Sequence, residues 1–393
     1  MKRSGRCPFD PSPALTSYRH EEPVKRVKIW SGESVWVVTR YDDVRTVLSS
    51  PHASSDADLP GYPATSAAGR ARRREDKPFV VMDDPQHARQ RRMVSPEFMV
   101  KKMQALRPRV QEIVDGLIDE MLAGPKPVDL VQVFGLPVPL LVICDLLGVP
   151  YADRDEFQAR GNVLTCREST PEQMMGAVRD LLTYLADLVD RKDAAPEDDL
   201  LSRLTVEQVR TGAITREEAA NMGLMLLLAG HETTANMIAL STTALLQNPE
   251  QLAELRTTED QALIDNAVEE MLRYLTVAQI GLRRLALEDI EVGGQLIRKG
   301  EGIILSVDAA NRDASAFAEP DVIDLHRKAR HHLAFGYGIH QCLGQPLARV
   351  ELQVVFRTLY RRIPTLRLAA PLEELNFKHD MTVYGVHELP VTW

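Results

Sequence analysis

The sequence predicts a mainly α-helical protein with small β-sheets. Segments whose apolar residues recur at helical spacing run through most of the 393 residues, the clearest being 110–122, 174–189 and 264–274. Strand-like segments are short and lie near the two ends and after Arg284. A glycine-rich loop with a cysteine, residues 335–344, stands directly before another amphipathic segment. Helices therefore form the framework, and this loop is its most unusual feature.

Composition and length favour one compact unit. No linker or internal repeat divides the chain, so we expect a single domain over residues 1–393. The four cysteines show no close pairing, which is typical of a reducing cytoplasm. No apolar run is long enough to cross a bilayer, so we expect a soluble, cytoplasmic monomer without a membrane partner. A formal charge of −9 and 5% aromatic residues argue against a nucleic-acid partner.

The first elements are predicted from local turn and capping signals. Strand-like residues 27–29 and 35–38 flank Ser31-Gly32-Glu33, which predicts a β-hairpin. Asp42 is placed to cap the helix that follows, which extends through Leu48. A further helix is predicted over 140–147, and further strands over 290–304, with Gly293-Gly294 as a turn, and over 381–391.

Cys342 is the residue whose surroundings most favour chemistry. An amphipathic helix begins just after it, and a helix N-terminus favours a thiolate over a thiol. Gly336, Gly338 and Gly344 allow the loop to curl and to aim backbone N–H groups at the sulfur. A thiolate held in this way is a metal ligand or a nucleophile. The ordinary alternative for a lone cysteine is an inert, buried side chain.

Residues 221–237 are apolar on nearly every face as far as Ala229, which predicts a buried helix. Glu232 in its middle therefore needs a partner. Gly230 costs about 1 kcal/mol relative to alanine, which indicates a close neighbour. Ala229 and Thr233 share one face at i, i+4. In the structural alternative, the Thr233 hydroxyl bonds back to a preceding carbonyl and bends the helix.

The pattern Phe-x-x-Gly-x-x-x-Cys-x-Gly from Phe335 to Gly344, with His340 before Cys342, resembles the haem-binding loop of the cytochrome P450 superfamily. The resemblance implies the cytochrome P450 fold, in which haem b lies between a long distal helix and a proximal loop and helix that carry the cysteine. It also implies that Cys342 is the axial metal ligand and that Phe335, Gly336, His340 and Gly344 bind the cofactor. Thiolate ligation pushes electron density to the iron and favours O–O cleavage.

The helix predicted over 221–237 matches the same family, because Ala-Gly-x-Glu-Thr resembles the segment that crosses the distal face of the haem. The resemblance implies that Ala229 and Gly230 lie beside the cofactor and admit dioxygen, the co-substrate. It also implies that Glu232 and Thr233 are catalytic residues that relay protons to the reacting oxygen.

The resemblance further implies which residues hold the haem propionates. His87 and Arg91 are spaced i, i+4 on a predicted helix, and on their own they are an ordinary polar helix surface. In the family, such residues bind one propionate, because a buried carboxylate needs donors. Arg284, together with His340, would bind the second, although Arg283 beside it leaves the register open by one residue.

Glu270 and Arg273 form an E-x-x-R pair, which alone is a weak signal because most such pairs are surface ion pairs. The resemblance implies that this pair is buried and has a structural role in anchoring the segment before the cysteine loop. The usual third partner is missing from Pro320–Asp324, and Arg327 is the candidate in its place.

The resemblance implies a bacterial haem-thiolate monooxygenase, similar to actinobacterial members that oxidise natural products of secondary metabolism and xenobiotics. It would hydroxylate a C–H bond of a hydrophobic small molecule. Electrons would come ultimately from NAD(P)H through a ferredoxin reductase and a ferredoxin. Two alternatives are a nitric oxide reductase or peroxygenase, and a non-catalytic haem sensor or ligand carrier. The intact Glu232-Thr233 pair argues against both.

By family analogy, the substrate pocket draws on residues 53–77, 158–179, 225–229, 277–282 and 381–383. The individual candidates are Arg72, Met225, Leu228, Val277, Ile280, Met381 and Thr382. Arg72 belongs to a basic cluster that also contains Arg70, Arg73, Arg74 and Lys77, and a solvated surface is the ordinary explanation for such a run. Arg89 and Arg92 form a second basic surface, which suits an acidic ferredoxin.

Overall fold

The structure is a computed structural model that describes residues 3, 7–64, 66 and 77–393. Its helices are α1 (Pro13–Glu21), α2 (Tyr41–Ser49), α3 (Gln86–Val94), α4 (Val100–Ala105), α5 (Arg107–Ala123), α6 (Pro137–Leu147), α7 (Arg154–Thr165), α8 (Pro171–Ala194), α9 (Leu200–Leu204), α10 (Arg216–Leu246), α11 (Pro249–Thr257), α12 (Gln261–Leu275), α13 (Val307–Ala310) and α14 (Gln345–Arg362). Its strands are β1 (Val24–Lys28), β2 (Ser34–Val38), β3 (Ala53–Ser54), β4 (Val128–Asp129), β5 (Leu282–Ala286), β6 (Ile290–Val292), β7 (Gln295–Ile297), β8 (Gly302–Leu305), β9 (Arg367–Leu368) and β10 (Pro390–Thr392).

The core is built around α10, a helix that is buried along most of its length. Thr215 and Glu218 begin it with a capping box, in which each side chain accepts a hydrogen bond from the other residue's backbone N–H. The helix packs against α6, α8, α12 and α14. The helices predicted over 110–122, 140–147, 174–189 and 264–274 are confirmed as α5, α6, α8 and α12.

The sheets lie at the side of this helical core and agree with the strand signals in the first part of the chain. β1 and β2 form the predicted hairpin in a five-stranded sheet of order β1-β2-β8-β5-β3. β6 and β7 form a second hairpin, and Gly293 and Gly294 turn it with φ angles of 55° and 73°. The pairing of β5 with β8 places Arg284 opposite Ile303 and thereby fixes the direction of its side chain.

Two local predictions are wrong. The helix α2 begins at Tyr41, and Asp42 lies in its first turn instead of capping it. Within residues 381–391, only the start of β10 is a regular strand, and Met381 makes a single bridge with Cys166.

The segment before β10 alternates like a strand because it is pressed against the helical core, not because it belongs to a sheet. Tyr384 and Val386 are fully buried. The Tyr384 N–H donates to the Val277 carbonyl at 2.8 Å, and Gly385 lies so close to Asn236 of α10 that no side chain would fit there. This irregular segment therefore brings residues near the C-terminal end of the chain to the middle of α10. No helix in the described part of the chain combines the length and apolarity needed to cross a membrane.

Candidate active site

A cavity of about 390 Å³ lies between the middle of α10 and the loop that precedes α14. Most of its described lining is apolar. The predicted cofactor and catalytic residues that line it are Arg91, Ala229, Gly230, Thr233, Phe335, Gly336, His340, Cys342 and Gly344. Residues far apart in the sequence thus meet around one space, with the glycine-rich loop on one side and α10 on the other.

Cys342 is held by its own loop and opens into this cavity. Its N–H donates to the Phe335 carbonyl at 2.8 Å, and the backbone N–H groups of Gly344 and Gln345 hydrogen-bond the sulfur. Gly338 has a φ of 75°, and a Cβ there would lie 2.5 Å from the Leu48 carbonyl oxygen, so only glycine fits. Although the side chain is open to the cavity, protein surrounds the sulfur on its other sides. Burial therefore raises the pKa of the thiol, against the lowering effects of these hydrogen bonds and of Arg91.

Four nitrogen-bearing side chains converge at one end of the cavity. The rings of His87 and His340 lie 4.1 Å apart between centroids, and Arg91 donates to the Gln341 carbonyl at 2.6 Å. Arg284 is 7% exposed, and burial lowers its pKa. Burial also lowers the pKa of His340, to about 3, and the nearby charges of Arg284, His87 and Arg91 act in the same direction. The cluster is thus a buried set of donors.

Arg283 and Arg284 are adjacent on β5, and their side chains point in different directions. The Arg283 guanidinium lies over the Tyr62 ring, 5.5 Å from its centroid, and donates to the Pro63 carbonyl at 3.3 Å. Arg283 therefore points away from the donor cluster, whereas the charge of Arg284 acts on His340.

Thr233 and Gly230 both line the cavity, and both also have structural contacts. The Thr233 hydroxyl donates to the Ala229 carbonyl at 2.7 Å, as in the structural alternative. A Cβ at Gly230 would lie 3.3 Å from the Ile143 side chain of α6, which is the close neighbour that the sequence indicated. The small residues of α10 thus serve helix packing and leave open space beside the cavity.

Glu232 turns away from the cavity, and it is 2% exposed. Its Oε2 accepts a hydrogen bond from Asn236 Nδ2 at 3.2 Å and lies 3.8 Å from Lys378 Nζ. Its Oε1 has no hydrogen-bond partner among the described residues. No sequence pattern indicated Lys378, because this lysine lies just before the irregular segment and far along the chain from Glu232.

The E-x-x-R pair is completely buried behind the cysteine loop. Arg273 donates to both carboxylate oxygens of Glu270, at 2.7 and 2.8 Å, and to the Asn311 and Pro320 carbonyls. Arg327 donates to Glu270 at 3.1 Å. Arg327 is therefore the third member of this cluster, in the absence of the usual one.

A second network beside this pair escaped the sequence analysis. Arg349 of α14 donates to both oxygens of Glu269, at 2.5 and 3.1 Å, and lies 4.7 Å from the centroid of the Phe335 ring. His332 also bonds to Glu269, at 3.1 Å. Burial raises the pKa of Glu269, but the hydrogen bonds from His332 and Arg349 outweigh it and bring the pKa to about 2. This network joins α12 and α14 to the start of the cysteine loop.

Glu351 of α14 was also missed, since nothing in its spacing distinguishes it from an ordinary helix residue. It lines the cavity and is 2% exposed. Burial raises its pKa to about 8, although a hydrogen bond with Thr234 acts in the opposite direction. This carboxyl group is therefore neutral near pH 7.

Comparisons with known proteins agree with this architecture. Residues 183–363 match the family model for cytochrome P450. Cytochrome P450 GfsF of Streptomyces halstedii is 53% identical over 395 residues, covering 100% of this chain and 95% of GfsF. Its crystal structure has a TM-score of 0.94 to this one and covers 100% of this chain and 99% of that one.

The chain belongs to the cytochrome P450 superfamily. Pentalenic acid synthase of Streptomyces avermitilis is 50% identical to this cytochrome P450 over 387 residues, which cover 98% of this chain and 95% of the synthase. MycCI of Micromonospora griseorubida, a mycinamicin VIII C21 methyl hydroxylase solved with mycinamicin VIII bound, is 41% identical with a TM-score of 0.91, covering 97% of this chain and 96% of MycCI. The chain is therefore a monooxygenase, which uses haem iron and O2 to place one oxygen atom in a C–H bond.

The donor cluster of this cytochrome P450 fits a haem. His87 is 2% exposed, and its Nε2 has no hydrogen-bond partner among the described residues, while its Nδ1 lies 2.9 Å from Asp84. A buried donor without an acceptor costs free energy. The anionic propionates of haem could accept a hydrogen bond from this nitrogen and pair with the charges of Arg91 and Arg284, whose bonds in this structure go to backbone carbonyls.

The substrate residues predicted from the sequence divide into three groups in this cytochrome P450. Met225, Val277, Ile280 and Thr382 line the cavity. Leu228 and Met381 are not part of its described lining, and their contact with substrate stays a prediction. The Leu228 side chain lies beside Gly161 of α7, and Met381 is buried at its bridge with Cys166. Arg72, like Arg70, Arg73 and Arg74, lies outside the described residues.

Proposed function

We propose that Cys342 is the axial haem ligand of this monooxygenase and that its substrate is a hydrophobic natural product. The observation that carries the proposal is the position of the Cys342 thiol, which opens into the cavity from the loop while Thr233 lines the same cavity from α10. When bound there, the haem supplies oxygen activation, and the thiolate favours O–O cleavage. The whole chain, as a single domain, would serve this one site.

The residues around the cavity would divide the remaining tasks. His87, Arg91, Arg284 and His340 would bind the propionates, because they form one donor cluster in which His87 and Arg284 are buried and Arg91 and His340 border the cavity. Phe335, Gly336 and Gly344 would support the ring on the cysteine side, and Ala229 and Gly230 would leave room on the side of α10.

Thr233 and Glu232 would deliver protons to the oxygen side of the cavity. The Thr233 hydroxyl borders the cavity, so it is the group that can hand a proton into it. Glu232 lies behind it and is the acid that can replenish that proton.

The chemistry of the walls supports a largely apolar substrate. Phe79, Met225, Val277, Ile280 and Val383 give the cavity apolar walls. Among the described lining residues, Arg91 carries the charged side chain and Glu351 a neutral carboxyl group, and both come from the elements that carry the proposed haem site. The relatives that make pentalenic acid and hydroxylate mycinamicin VIII indicate a natural product of comparable character.

Electrons would come from NAD(P)H through a ferredoxin reductase and a ferredoxin. Arg89 and Arg92 of α3 are exposed, on the helix that also carries His87 and Arg91. An acidic ferredoxin would find complementary charge there.

The test of the haem ligand is Cys342→Ala. We expect the purified protein to hold b-type haem and its reduced carbon monoxide complex to show the far red-shifted absorption band of thiolate ligation, which the variant should lose. Cys166→Ala, a change at a half-buried cysteine outside the cavity, is the matched control and should retain it. A Cys342→Ala protein that kept the band would overturn the proposal. A screen of natural products for spin-state shifts would then identify the substrate class.

A further inference from the structure

Three buried polar groups meet where α10 contacts the irregular segment before β10. His231 and Glu232 are 4% and 2% exposed, and Lys378 is 5% exposed. Glu232 Oε1 and His231 Nε2 have no hydrogen-bond partner among the described residues. Lys378 Nζ stands 3.8 Å from Glu232 Oε2, which is close enough for charge attraction but too far for a hydrogen bond.

Such an arrangement is costly, because buried charges and unpaired polar atoms lose their hydration without full replacement. Burial lowers the pKa of His231, which keeps this histidine neutral. Lys378 is therefore the cation that compensates the Glu232 carboxylate in this cluster. The pair is loose, and Glu232 Oε1 is left without a hydrogen-bond partner among the described residues.

The backbone around Lys378 is arranged to bring its ammonium to this position. The Lys378 N–H donates to the Gly385 carbonyl at 2.9 Å, and its carbonyl accepts from Gln279 Nε2 at 2.9 Å. Gly385 leaves no room for a side chain beside Asn236, so the segment approaches α10 as closely as a backbone can. Asn236 in turn donates to Glu232 Oε2. Each of these contacts fixes the geometry of the cluster.

We propose that Lys378 is a positioning residue for proton delivery, and this inference rests on the proposed role of Glu232 and Thr233. A proton from solvent first converts Glu232 to the acid; Glu232 then passes this proton to the Thr233 hydroxyl, which releases its own proton into the cavity, and Glu232 becomes a carboxylate again. The Lys378 ammonium stabilises that negative charge, and a further proton from solvent restores the acid. Without the ammonium, the buried carboxylate is disfavoured and the acid gives up its proton more slowly.

The test compares Lys378→Met with Lys378→Arg in the holoenzyme. We expect Lys378→Met to slow turnover about tenfold and to increase the ratio of rates in H2O and D2O. Lys378→Arg should restore most of the rate. The carbon monoxide spectrum and the substrate Kd should not change. Lys299→Met, which removes an exposed ion pair with Glu288, is the matched control and should have no effect.

A double-mutant cycle with Glu232→Gln provides a second readout that does not depend on activity. Lys378→Met should lower the urea midpoint in the wild-type background, where it leaves the carboxylate unpaired, and much less in the Glu232→Gln background. Additive effects on both the midpoint and turnover would overturn the inference. If Glu232→Gln slows turnover but Lys378→Met does not, the inference about Lys378 is wrong while the proposed relay through Glu232 and Thr233 stands. If Glu232→Gln and Thr233→Ala both leave turnover and coupling unchanged, both the proposed proton relay and the role of Lys378 are wrong.

Discussion

The two sides of the cavity bury acidic residues to a similar depth but pair them very differently. On the cysteine side, each oxygen of Glu269 and Glu270 has at least one charged or backbone donor, at distances from 2.5 to 3.1 Å. On the α10 side, Glu232 has one amide donor, a lysine at 3.8 Å and a carboxylate oxygen without a partner among the described residues.

This difference corresponds to two different requirements. A carboxylate with a donor on both oxygens holds its surroundings in one arrangement, which suits residues that position a metal ligand. A carboxylate with incomplete pairing can exchange a proton at low cost, which suits a relay. We call the cysteine side saturated, because both oxygens of Glu269 and of Glu270 have donors, and this side fixes the position of the cysteine loop. We call the α10 side unsaturated, because Glu232 Oε1 has no partner among the described residues, and this oxygen is open to a proton.

The largest expected effect is on the saturated side. Glu270→Ala leaves the fully buried Arg273 without its charge partner, and breaking such a pair costs about 3–5 kcal/mol. We expect a lower urea midpoint and a poor yield of haem-loaded protein. The control is Glu288→Ala, whose pair with Lys299 is exposed and should be worth less than about 1 kcal/mol. Equal decreases of the urea midpoint in Glu270→Ala and Glu288→Ala would show that the buried pair contributes no more stability than the exposed one.

The next largest expected effect is a dependence of the free energy of unfolding on pH, and it comes from Glu269. Its pKa is about 2 in the folded protein against a reference value of 4.5, so folding favours the ionised form. The resulting stability, about 3 kcal/mol, is present above pH 4.5 and is lost as the pH falls toward 2. Wild type should therefore exceed Glu269→Gln in the free energy of unfolding near neutral pH, and the two should converge in acid. Parallel curves over that range would contradict the ion-paired state of Glu269.

A smaller effect is expected from the unsaturated side. Thr233→Ala should bind substrate normally but release more hydrogen peroxide per electron consumed, because proton delivery is misdirected. Thr233→Ser, which keeps the hydroxyl, should stay close to wild type. The measurement is the ratio of product to peroxide to reduced nicotinamide consumed. Unchanged coupling in Thr233→Ala would leave its bond to the Ala229 carbonyl as the only role of that hydroxyl.

The smallest effect concerns the outer surface of α3. Arg92→Glu should slow reduction by ferredoxin roughly severalfold at low salt, and rising salt should slow the wild type toward the variant. Arg298→Glu, at an exposed arginine of a different element, should reduce normally. Reduction that is insensitive to both salt and Arg92 would place the electron donor elsewhere.

Local patterns predicted the parts of the site whose residues are close in sequence. The cysteine loop, the helix with His87 and Arg91, and the Glu270-Arg273 pair each have a fixed short spacing that the fold preserves. Short spacing does not tell which side chains of a helix reach the cavity, and its described lining includes Met225 but not Leu228.

Pairings between distant segments could not be predicted in this way. Lys378 with Glu232, and Arg349 with Glu269, join elements whose mutual placement depends on the packing of the whole chain. The 381–391 prediction was wrong for the same reason, because alternation shows that a segment is buried on one face but not which surface covers it.

The cavity can form only after the ribosome has made the last of the residues that line it. Phe79 and Val383 both line it, and about 300 residues separate them. At 5–20 residues per second, a ribosome needs roughly 15–60 s to make that interval. During this time the apolar inner surface of α10 emerges before the segment that covers it, and it stays exposed to the crowded interior of the cell. Apolar surface exposed in this way is prone to aggregation until the last wall residue has been made.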